Sequence, residues 1–210
     1  REIIPSPLDP DGYCISCHQA YHVAAGRARH QMQHPESRCL ECHNPHDMTH
    51  GSFLRAPAND LCLRCHAKLG GGRAAGMHPL GPMDRPVPAA LHTAGATVAK
   101  DDCNVTCATC HSMHMGEGPY LLRMARDSND LCLTCHEQMR PGMFREGGES
   151  EHPISPKAGP EQVAAIQQMG TRIGADGRLL CLSCHKLHEG KGERFMLADE
   201  LTDGQMCLRC

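Results

Sequence analysis

The chain has 210 residues, 21 Lys and Arg against 24 Asp and Glu, and a formal net charge of −3. Its cationic side chains are scattered rather than clustered, which argues against a nucleic-acid partner. No window approaches the roughly 18 consecutive apolar residues of a membrane helix, and the opening REIIPSPLDP lacks the features of a signal peptide. We therefore expect no membrane span in this segment, and we expect both ends to be limits of processing or observation within a longer protein.

The apolar residues are of an unusual kind. The sequence has no Trp, three Phe and three Tyr, but 15 Cys and 12 Met, so the large rings that normally dominate a core are nearly absent. With 21 Gly and 15 Pro, the path of the chain is punctuated by turns. The composition predicts a mostly irregular fold with short α-helices and little or no β structure, whose interior is filled by something other than side chains.

Fourteen of the 15 cysteines fall in seven CxxC pairs, and His follows at once in all six pairs that have a next residue. CxxCH is the attachment sequence of c-type haem, in which the cysteines bond the porphyrin and the histidine binds iron. The sequence therefore predicts about seven haem c groups, one for each CxxC pair. The predicted thioether cysteines are Cys14, Cys17, Cys39, Cys42, Cys62, Cys65, Cys107, Cys110, Cys132, Cys135, Cys181, Cys184, Cys207 and Cys210. The predicted proximal iron ligands are His18, His43, His66, His111, His136 and His185.

The spacing fits this chemistry if each motif begins or lies on a short helix. Positions i, i+3 and i+4 then share one face, so two sulfurs and one imidazole point to the same side. A tetrahedral zinc site gives no reason for the histidine after every pair. A disulfide framework fits poorly with an odd cysteine count. The unpaired Cys103 is most simply a small buried apolar residue with an inert thiol; the alternatives are a bond outside this segment or a special linkage near the fourth haem.

Three motifs carry a second histidine three residues after the first, in CHNPH, CHSMH and CHKLH. These histidines are His46, His114 and His188. A side chain three positions along a helix lies on the same face as its predecessor, whereas a sixth iron ligand approaches from the other side of the porphyrin. We therefore expect each second histidine to bind the haem of another motif. The alternative is that they cap helices or bind haem propionates.

The sequence repeats itself, which predicts a modular architecture. Three stretches share the order CxxCHxxH, a glycine-bearing linker, an apolar pair such as Phe53-Leu54, and a second CxxC. We expect four segments: a leading single-haem segment 1–33, two-haem repeats 34–77 and 78–151, and a third repeat 152–210 that is incomplete at its C-terminal end.

A His-Pro pair stands ahead of each repeat. Proline favours an extended residue before it, which suits presentation of an imidazole from a loop. The three His-Pro histidines are therefore predicted distal ligands, namely His34, His78 and His152. His22, four residues after His18, is predicted to bind a neighbouring haem. His30, His50 and His92 have no repeated position, and each fits a surface or propionate-contacting histidine as well as a ligand of the Cys14 haem.

Few helices are expected outside the motifs. Asp60 and Asp130 are predicted N-caps, with Gly70 and Pro141 ending those turns. Pro160 is expected to open a helix of about nine residues that Gly170 closes.

These motifs resemble the multihaem c-type cytochromes of the doubled CxxCH class, over nearly the whole of residues 14–210. The sequence departs from that pattern at Met113 and Leu187, where the CHxPH proline is replaced, at the end of the seventh motif, which has no following histidine, and at the extra Cys103. The resemblance implies stacked, mainly bis-histidine haems that pass electrons, in the periplasm or at the surface of a bacterial or archaeal cell, with redox proteins or further cytochromes as partners.

One haem per 30 residues would leave too little polypeptide to insulate the haems, so the leading hypothesis is an electron-transfer protein and not an enzyme. Arg55 and Arg123 in the linkers are expected to pair with propionates. One His/Met haem remains an open alternative for some of the methionines. The functional alternatives are a reductase with one open-coordination haem, and a scaffold or filament subunit within a larger complex.

Overall fold

The computed structural model describes residues 10–18, 38–70, 77–96, 103–114, 116, 120–125, 128–140, 156–191 and 196–199. Its α-helices are α1 (Pro10–Cys17), α2 (Cys39–Cys42), α3 (Ala58–Cys65), α4 (Ala89–Thr93), α5 (Cys107–Cys110), α6 (Asp130–Leu133), α7 (Pro160–Gln168) and α8 (Cys181–Cys184). Two 3₁₀ turns cover Ala67–Gly70 and Glu137–Met139. The predicted fold class, mostly irregular with short helices, is confirmed.

One small antiparallel ribbon joins β1 (Gly81–Pro82) to β2 (Asn104–Val105), with Gly81 opposite Val105. Met83 extends the pairing by donating its N–H to the carbonyl of Cys103 at 2.5 Å. The ribbon ends directly before α5, so it ties the segment that begins with His78 to the start of a CxxC helix.

The CxxC motifs are of two kinds in sequence, according to whether a second histidine follows three residues after the first. We call the motifs of Cys39, Cys107 and Cys181 the CHxxH motifs, and those of Cys14, Cys62, Cys132 and Cys207 the plain motifs. In each CHxxH motif the helix is a single turn that begins at the first cysteine and ends at the second.

Side-chain oxygens help to start two of these single-turn helices. Thr109 accepts the N–H of Thr106 at 2.9 Å, and Ser183 accepts that of Leu180 at 2.9 Å. Both side chains are buried, and each occupies the third position of its helix, where such a bond satisfies a donor that lies outside the helical ladder. The two middle positions of CxxC are therefore not interchangeable, because the second of them stabilises the turn.

The predicted N-caps of the plain motifs are wrong. Helix α3 has Pro57 at its N-cap, and α6 has Asn129, so Asp60 and Asp130 lie inside the first turn instead. Pro57 has a φ of −49°, a value already close to helical, which lets the helix start earlier than the aspartate. Gly70 does end the turn after α3, as expected.

Helix α7 begins at Pro160 and runs for nine residues, as the sequence predicts. The Gln162 side chain accepts the N–H of Gly159 at 2.7 Å, which satisfies one free donor at this end. Gly170 closes the segment with a φ of +67°, a conformation that glycine adopts without a Cβ clash.

Two small apolar clusters lie beside the motifs. Ile166, Met169 and Leu179 pack with Leu197 and Ala198 under α7. A second cluster, around α4, is formed by Val87, Leu91 and Ala96. The expectation that side chains contribute no core is therefore corrected: α4 and α7 each bury an apolar face of their own.

Contacts between helices cross the expected segment boundaries. Helix α1 packs on α2, and α3 packs on α5. The division at residues 33, 77 and 151 remains a prediction. Within the described residues, none of the helices has the length and apolar character needed to cross a membrane.

Candidate haem-binding site

In each CHxxH motif the linker folds back onto the motif's own first histidine. Isolated antiparallel bridges pair His43 with Leu54, His111 with Leu122 and His185 with Leu197. The next backbone N–H, from Asn44, Ser112 or Lys186, donates to the carbonyl of Phe53, Leu121 or Met196 at 2.6, 2.7 and 2.8 Å respectively. The backbone of the predicted proximal histidine in each CHxxH motif is thus held by its own linker.

The same loop holds the imidazole. The Nδ1 of His43 lies 3.0 Å from the carbonyl oxygen of Ser52, and that of His111 lies 2.7 Å from the carbonyl oxygen of Tyr120. A carbonyl oxygen can only accept, so Nδ1 carries the proton and donates it. The lone pair is then on Nε2, which is the tautomer that binds a metal through Nε2, and the hydrogen bond fixes the plane of the ring.

A left-handed residue directs these carbonyls. Phe53, Leu121 and Met196 have φ values of +56°, +53° and +49°, although none is a glycine. They hold equivalent places, one residue before the bridging leucine, so the strain recurs with the motif. Because this conformation is unfavourable for a bulky side chain, it persists where surrounding contacts impose it. In the first two loops it turns two successive carbonyls toward the histidine ring and the following N–H, and in the third the Met196 carbonyl accepts the Lys186 N–H.

Two arginines fasten the linkers to the CxxC helices. Arg55 Nε donates to the Leu40 carbonyl at 2.5 Å, and Arg123 Nε donates to the Ala108 carbonyl at 2.6 Å. These carbonyls lie in one-turn helices, where few acceptors are used within the helix. The arginines therefore have a structural task that the expected pairing with propionates did not include. In the third repeat Ala198 stands at this place and packs into the cluster under α7.

Imidazoles from different motifs face each other. The rings of His43 and His114 have centroids 6.0 Å apart and planes 26° from parallel. The rings of His111 and His188 repeat this arrangement at 6.2 Å and 27°. In both cases the first histidine of one CHxxH motif faces the second histidine of the next CHxxH motif. The second histidine therefore lies beside a ring of another motif and not beside the first histidine of its own motif.

A third pair joins a plain motif to a His-Pro segment. His136, which follows Cys135, has its ring centroid 6.3 Å from that of His78, with the planes at 80°. The Nδ1 of His78 lies 3.1 Å from the Pro79 carbonyl, so its Nε2 is also available. Arg85 donates to the carbonyl of Cys135 and connects the two segments.

These separations suit a metal held between two rings. Bonds from a metal to an imidazole nitrogen are about 2 Å long, so rings that bind one metal from opposite sides have centroids on the order of 6 Å apart. A haem iron takes its equatorial ligands from the porphyrin and needs two side chains from the protein. No group of three or more His, Cys, Asp or Glu within the described ranges could hold a metal ion alone. The residues present therefore fit bis-imidazole haem ligation.

The protonation of these rings also agrees with ligation, which requires a neutral imidazole. Burial, followed by the neighbouring ring, lowers the pKa of His114, and the same two causes lower that of His188 and His136. The neighbours are His43, His111 and His78 respectively. The rings of His114, His136 and His188 thus favour the neutral form.

The cysteines of consecutive motifs meet. A hydrogen bond between the thiols of Cys62 and Cys107 raises the pKa of Cys62 and lowers that of Cys107 to about 7. The Cys132 and Cys181 thiols are bonded in the same way, with the pKa of Cys132 raised and that of Cys181 lowered. None of the thirteen cysteines in the described ranges is in a disulfide.

Sequence reasoning missed one set of residues. Asp11, Asn59 and Asn129 each lie three residues before the first cysteine of a plain motif, and each accepts the N–H of the first cysteine of the following CHxxH motif. The bonds measure 2.9 Å for Asp11, 2.9 Å for Asn59 and 2.7 Å for Asn129. The available signal was the shared position of the three side chains.

Several predicted residues lie elsewhere. His46 is exposed in its CHxxH motif, and its backbone N–H donates to the Asn44 side chain at 3.2 Å. His18 and His66 follow α1 and α3 directly. His50 is exposed and His92 is half-buried in α4. The remaining predicted ligands and thioether sites lie outside the described residues: His22, His34, His152, Cys207 and Cys210.

Comparison with known proteins agrees with this site. The sequence family described as the doubled CXXCH motif matches residues 30–71 and 96–141. The chain is also similar to the multiheme cytochrome MtrA of Shewanella baltica (strain OS185), with 25% identity over 138 residues, or 60% of this chain and 41% of that protein. The chain thus spans less than half the length of this relative. No solved structure matches it significantly. The CxxCH motifs and both similarities support a multihaem c-type cytochrome with covalently bound c-type haem and a general role in electron transfer.

Proposed function

We propose that the chain passes electrons along about seven closely packed, covalently bound and mainly bis-histidine haems, one for each CxxC pair. It would act as a periplasmic or extracellular conduit, or as a subunit of a larger redox assembly. The observation that carries the proposal is the set of three imidazole pairs whose ring centroids lie 6.0 to 6.3 Å apart. Two pairs join CHxxH motifs to each other, and the third joins a plain motif to a His-Pro segment. When one short segment supplies ligands to two irons, the two haems have to be neighbours.

Three ligand pairs follow from the ring contacts. His43 and His114 would bind the iron attached through Cys39 and Cys42. The next two sites follow the same reasoning: His111 with His188 for the Cys107 motif, and His136 with His78 for the Cys132 motif. The haem group supplies one-electron chemistry at each site.

The repeat extends this pairing to residues outside the described ranges. Since His78 faces the second motif of its own repeat, His34 would serve the Cys62 motif and His152 the Cys207 motif. His114 and His188 would serve the preceding CHxxH motif; His46, in the first CHxxH motif, would instead serve the plain motif of Cys14. His22 would likewise bind a neighbouring haem.

The chain's own residues suit rapid electron transfer rather than substrate binding. Carbonyl groups of the linkers hold the rings of His43 and His111 in one tautomer and one plane. With an imidazole on each side, a site can change its charge without exchanging a ligand. Low reorganisation of this kind favours transfer between sites over chemistry at an open position.

Haem attachment and net charge support a cellular location and a kind of partner for the chain. Attachment of c-type haem takes place after export, which supports a periplasmic or extracellular location. The protein's formal charge of −3 becomes more negative when ionised haem propionates are added, so redox partners with basic docking faces are favoured. Among the sources expected from the sequence, the relative from Shewanella baltica supports the bacterial one.

Intact mass spectrometry of the mature protein, combined with electron paramagnetic resonance of the ferric form, tests this proposal. We expect one haem for each complete CxxC pair and low-spin signals throughout. Near-parallel and near-perpendicular imidazole planes split the iron d orbitals differently, so the Cys132 haem should give a separate signal with the larger maximum g value. A chain without haem would refute the proposal.

Further measurements on the same protein separate the alternative functions. A high-spin haem that binds added cyanide or nitrite would favour a reductase with an open coordination position. Haems that are reduced but do not exchange electrons with redox proteins, in a chain that assembles into fibres, would favour a scaffold or filament subunit.

A further inference from the structure

We propose that Asp11, Asn59 and Asn129 are positioning residues that fix each plain motif against the CHxxH motif that follows it, and so set the rate of electron transfer between their two haems. The inference rests on the proposed function, because it concerns the distance between haems that this function requires. None of the three side chains belongs to a CxxCH motif or is an expected ligand.

The evidence is one bond made three times. The acceptor is always the side-chain oxygen three residues before a plain motif's first cysteine, and the donor is always the N–H of the next motif's first cysteine. The chain between the bonded residues differs greatly, since they are 28, 48 and 52 positions apart. Because the same bond recurs at three junctions with such different linkers, it argues for a role at the junction itself.

The bond satisfies a specific need of the CHxxH helices. A one-turn helix has N-terminal N–H groups without intrahelical partners, and an Asp or Asn oxygen is among the best acceptors for them. In these motifs a side-chain oxygen from the residue three positions before the preceding plain motif performs this task at the first cysteine, although the helix has its own N-cap residue. Asn129 is buried, with 8% of its surface exposed, so its bond to Cys181 is protected from water.

The consequence for the haems comes from where the bond lies. It ends on the backbone of a cysteine that attaches a porphyrin, and that cysteine's sulfur touches the first cysteine of the plain motif, as in Cys62 with Cys107 and Cys132 with Cys181. The two attachment sulfurs are therefore adjacent. A side chain that holds these backbones together controls how closely the two attached groups approach.

The test uses the full, haem-loaded chain and the junction between the Cys62 and Cys107 motifs. Asn59→Leu keeps the size of the side chain and removes the acceptor, whereas Asn59→Asp restores an acceptor that Asp11 provides naturally at the first junction. Asp60→Asn, on the same helix and exposed, is the matched control. Haem content is measured first, followed by the magnetic coupling of the two ferric haems and their rate of electron exchange after photoreduction.

We expect Asn59→Leu to retain its haems but to weaken the coupling and slow the exchange, because loss of an N-capping side chain shifts a local equilibrium by about fivefold. Asn59→Asp and Asp60→Asn should match the wild type in coupling. Asn59→Asp should also lower the reduction potentials of these two haems more than Asp60→Asn raises them, since its charge would lie beside the attachment site. A merely structural bond would change the thermal midpoint and leave coupling and rate unchanged.

Full coupling in haem-loaded Asn59→Leu would overturn the inference. If Asn59→Leu does not acquire its haems, Asn59→Asp and the reciprocal Asp11→Asn decide the matter: wild-type coupling in both supports the inference, and altered coupling in either overturns it. A wild-type chain without haem would refute the proposed function instead, which distinguishes the two failures.

Discussion

The CHxxH motifs and the plain motifs of Cys62 and Cys132 share the letters CxxCH, yet the chain leaves them in different directions. His43, His111 and His185 have extended backbones, with ψ of 144°, 145° and 137°. His66 and His136 have ψ of 42° and 48°, and a 3₁₀ turn follows each of them at once. The ψ angle of the histidine after the second cysteine thus separates motifs that continue into a 3₁₀ turn from motifs whose chain becomes extended.

Under the proposed pairing, this difference explains why one kind of motif would carry two ligands. An extended histidine lets the linker return and pair with it, and it moves the second histidine away from the first ring's partner. In the plain motifs of Cys62 and Cys132 a 3₁₀ turn keeps the chain close to the helix, and under the proposed pairing the second ligand would come from a His-Pro segment instead. If the proposed pairing holds, ligand sharing depends on the residues after the motif and not on the motif itself.

The strongest test of this comparison is His114→Met. Under the proposed pairing it replaces the distal ligand of the Cys39 haem and should raise its reduction potential by on the order of 0.1 V, within the roughly 0.8 V range that axial ligands control. The potential is followed by spectroelectrochemical titration, with the affected haem assigned by NMR. His50→Met, at an exposed histidine, is the control. A change limited to the Cys107 haem would show that His114 serves its own motif.

A glycine near the second histidine should matter only in CHxxH motifs. A Cβ on Gly190 would lie 2.7 Å from the backbone of Lys186 and Met196, which cannot move away without opening the loop. Gly190→Ala should therefore cost about 1–3 kcal/mol of unfolding free energy, as overpacking does elsewhere. Denaturant titration measures it.

Gly159→Ala is the matched control, because its Cβ would meet only the Gln162 side chain at 3.7 Å. Equal midpoints for the two variants would mean that the loop closes less tightly than the structure indicates.

The arginine that fastens the linker distinguishes the second repeat from the third. Arg123→Lys keeps the charge but removes the Nε donor to Ala108, so it should destabilise the protein by about 1 kcal/mol. Thermal unfolding of the haem-loaded protein measures the loss. Arg64→Lys, at an exposed position in α3, should be neutral. If both substitutions have the same effect, charge rather than the directed bond holds the linker.

The smallest expected effect is a gain. Ser52 is exposed and has a φ of +46°, so Ser52→Gly should relieve strain and stabilise the first CHxxH loop by up to about 1 kcal/mol while keeping the carbonyl that His43 uses. Ala90→Gly, in helix α4, should do the opposite by about 1 kcal/mol. Chemical denaturation of both variants checks the sign, and a loss of stability in Ser52→Gly would contradict the strain argument.

Sequence patterns predicted the features that depend on residues close together in the chain. The nine-residue helix from Pro160 and the glycine that ends its segment follow from proline and glycine alone. The chemistry of the motifs, and the expectation that the second histidines turn to other motifs, follow from helical spacing. The ring pairs support that expectation for His114 and His188.

What escaped prediction depends on distant residues or on backbone torsion. The bond from Asn59 to Cys107 joins positions 48 apart, and no spacing rule connects them in advance. The left-handed Phe53, Leu121 and Met196 are unusual residues for that conformation, so propensity argues against them. The aspartate caps were wrong because Pro57 and Asn129 already start their helices one or more residues earlier.

The meeting of His43 with His114, and of His111 with His188, has a consequence for how such a chain can lengthen or shorten. Under the proposed pairing, no repeat is self-sufficient: each completes the iron site of the one before it. Deleting the third repeat would leave the Cys107 iron with a vacant position and open it to small ligands. Modular growth in this architecture therefore requires that every added unit bring a histidine for its predecessor, and loss of a unit turns an electron carrier into a site with reactive chemistry.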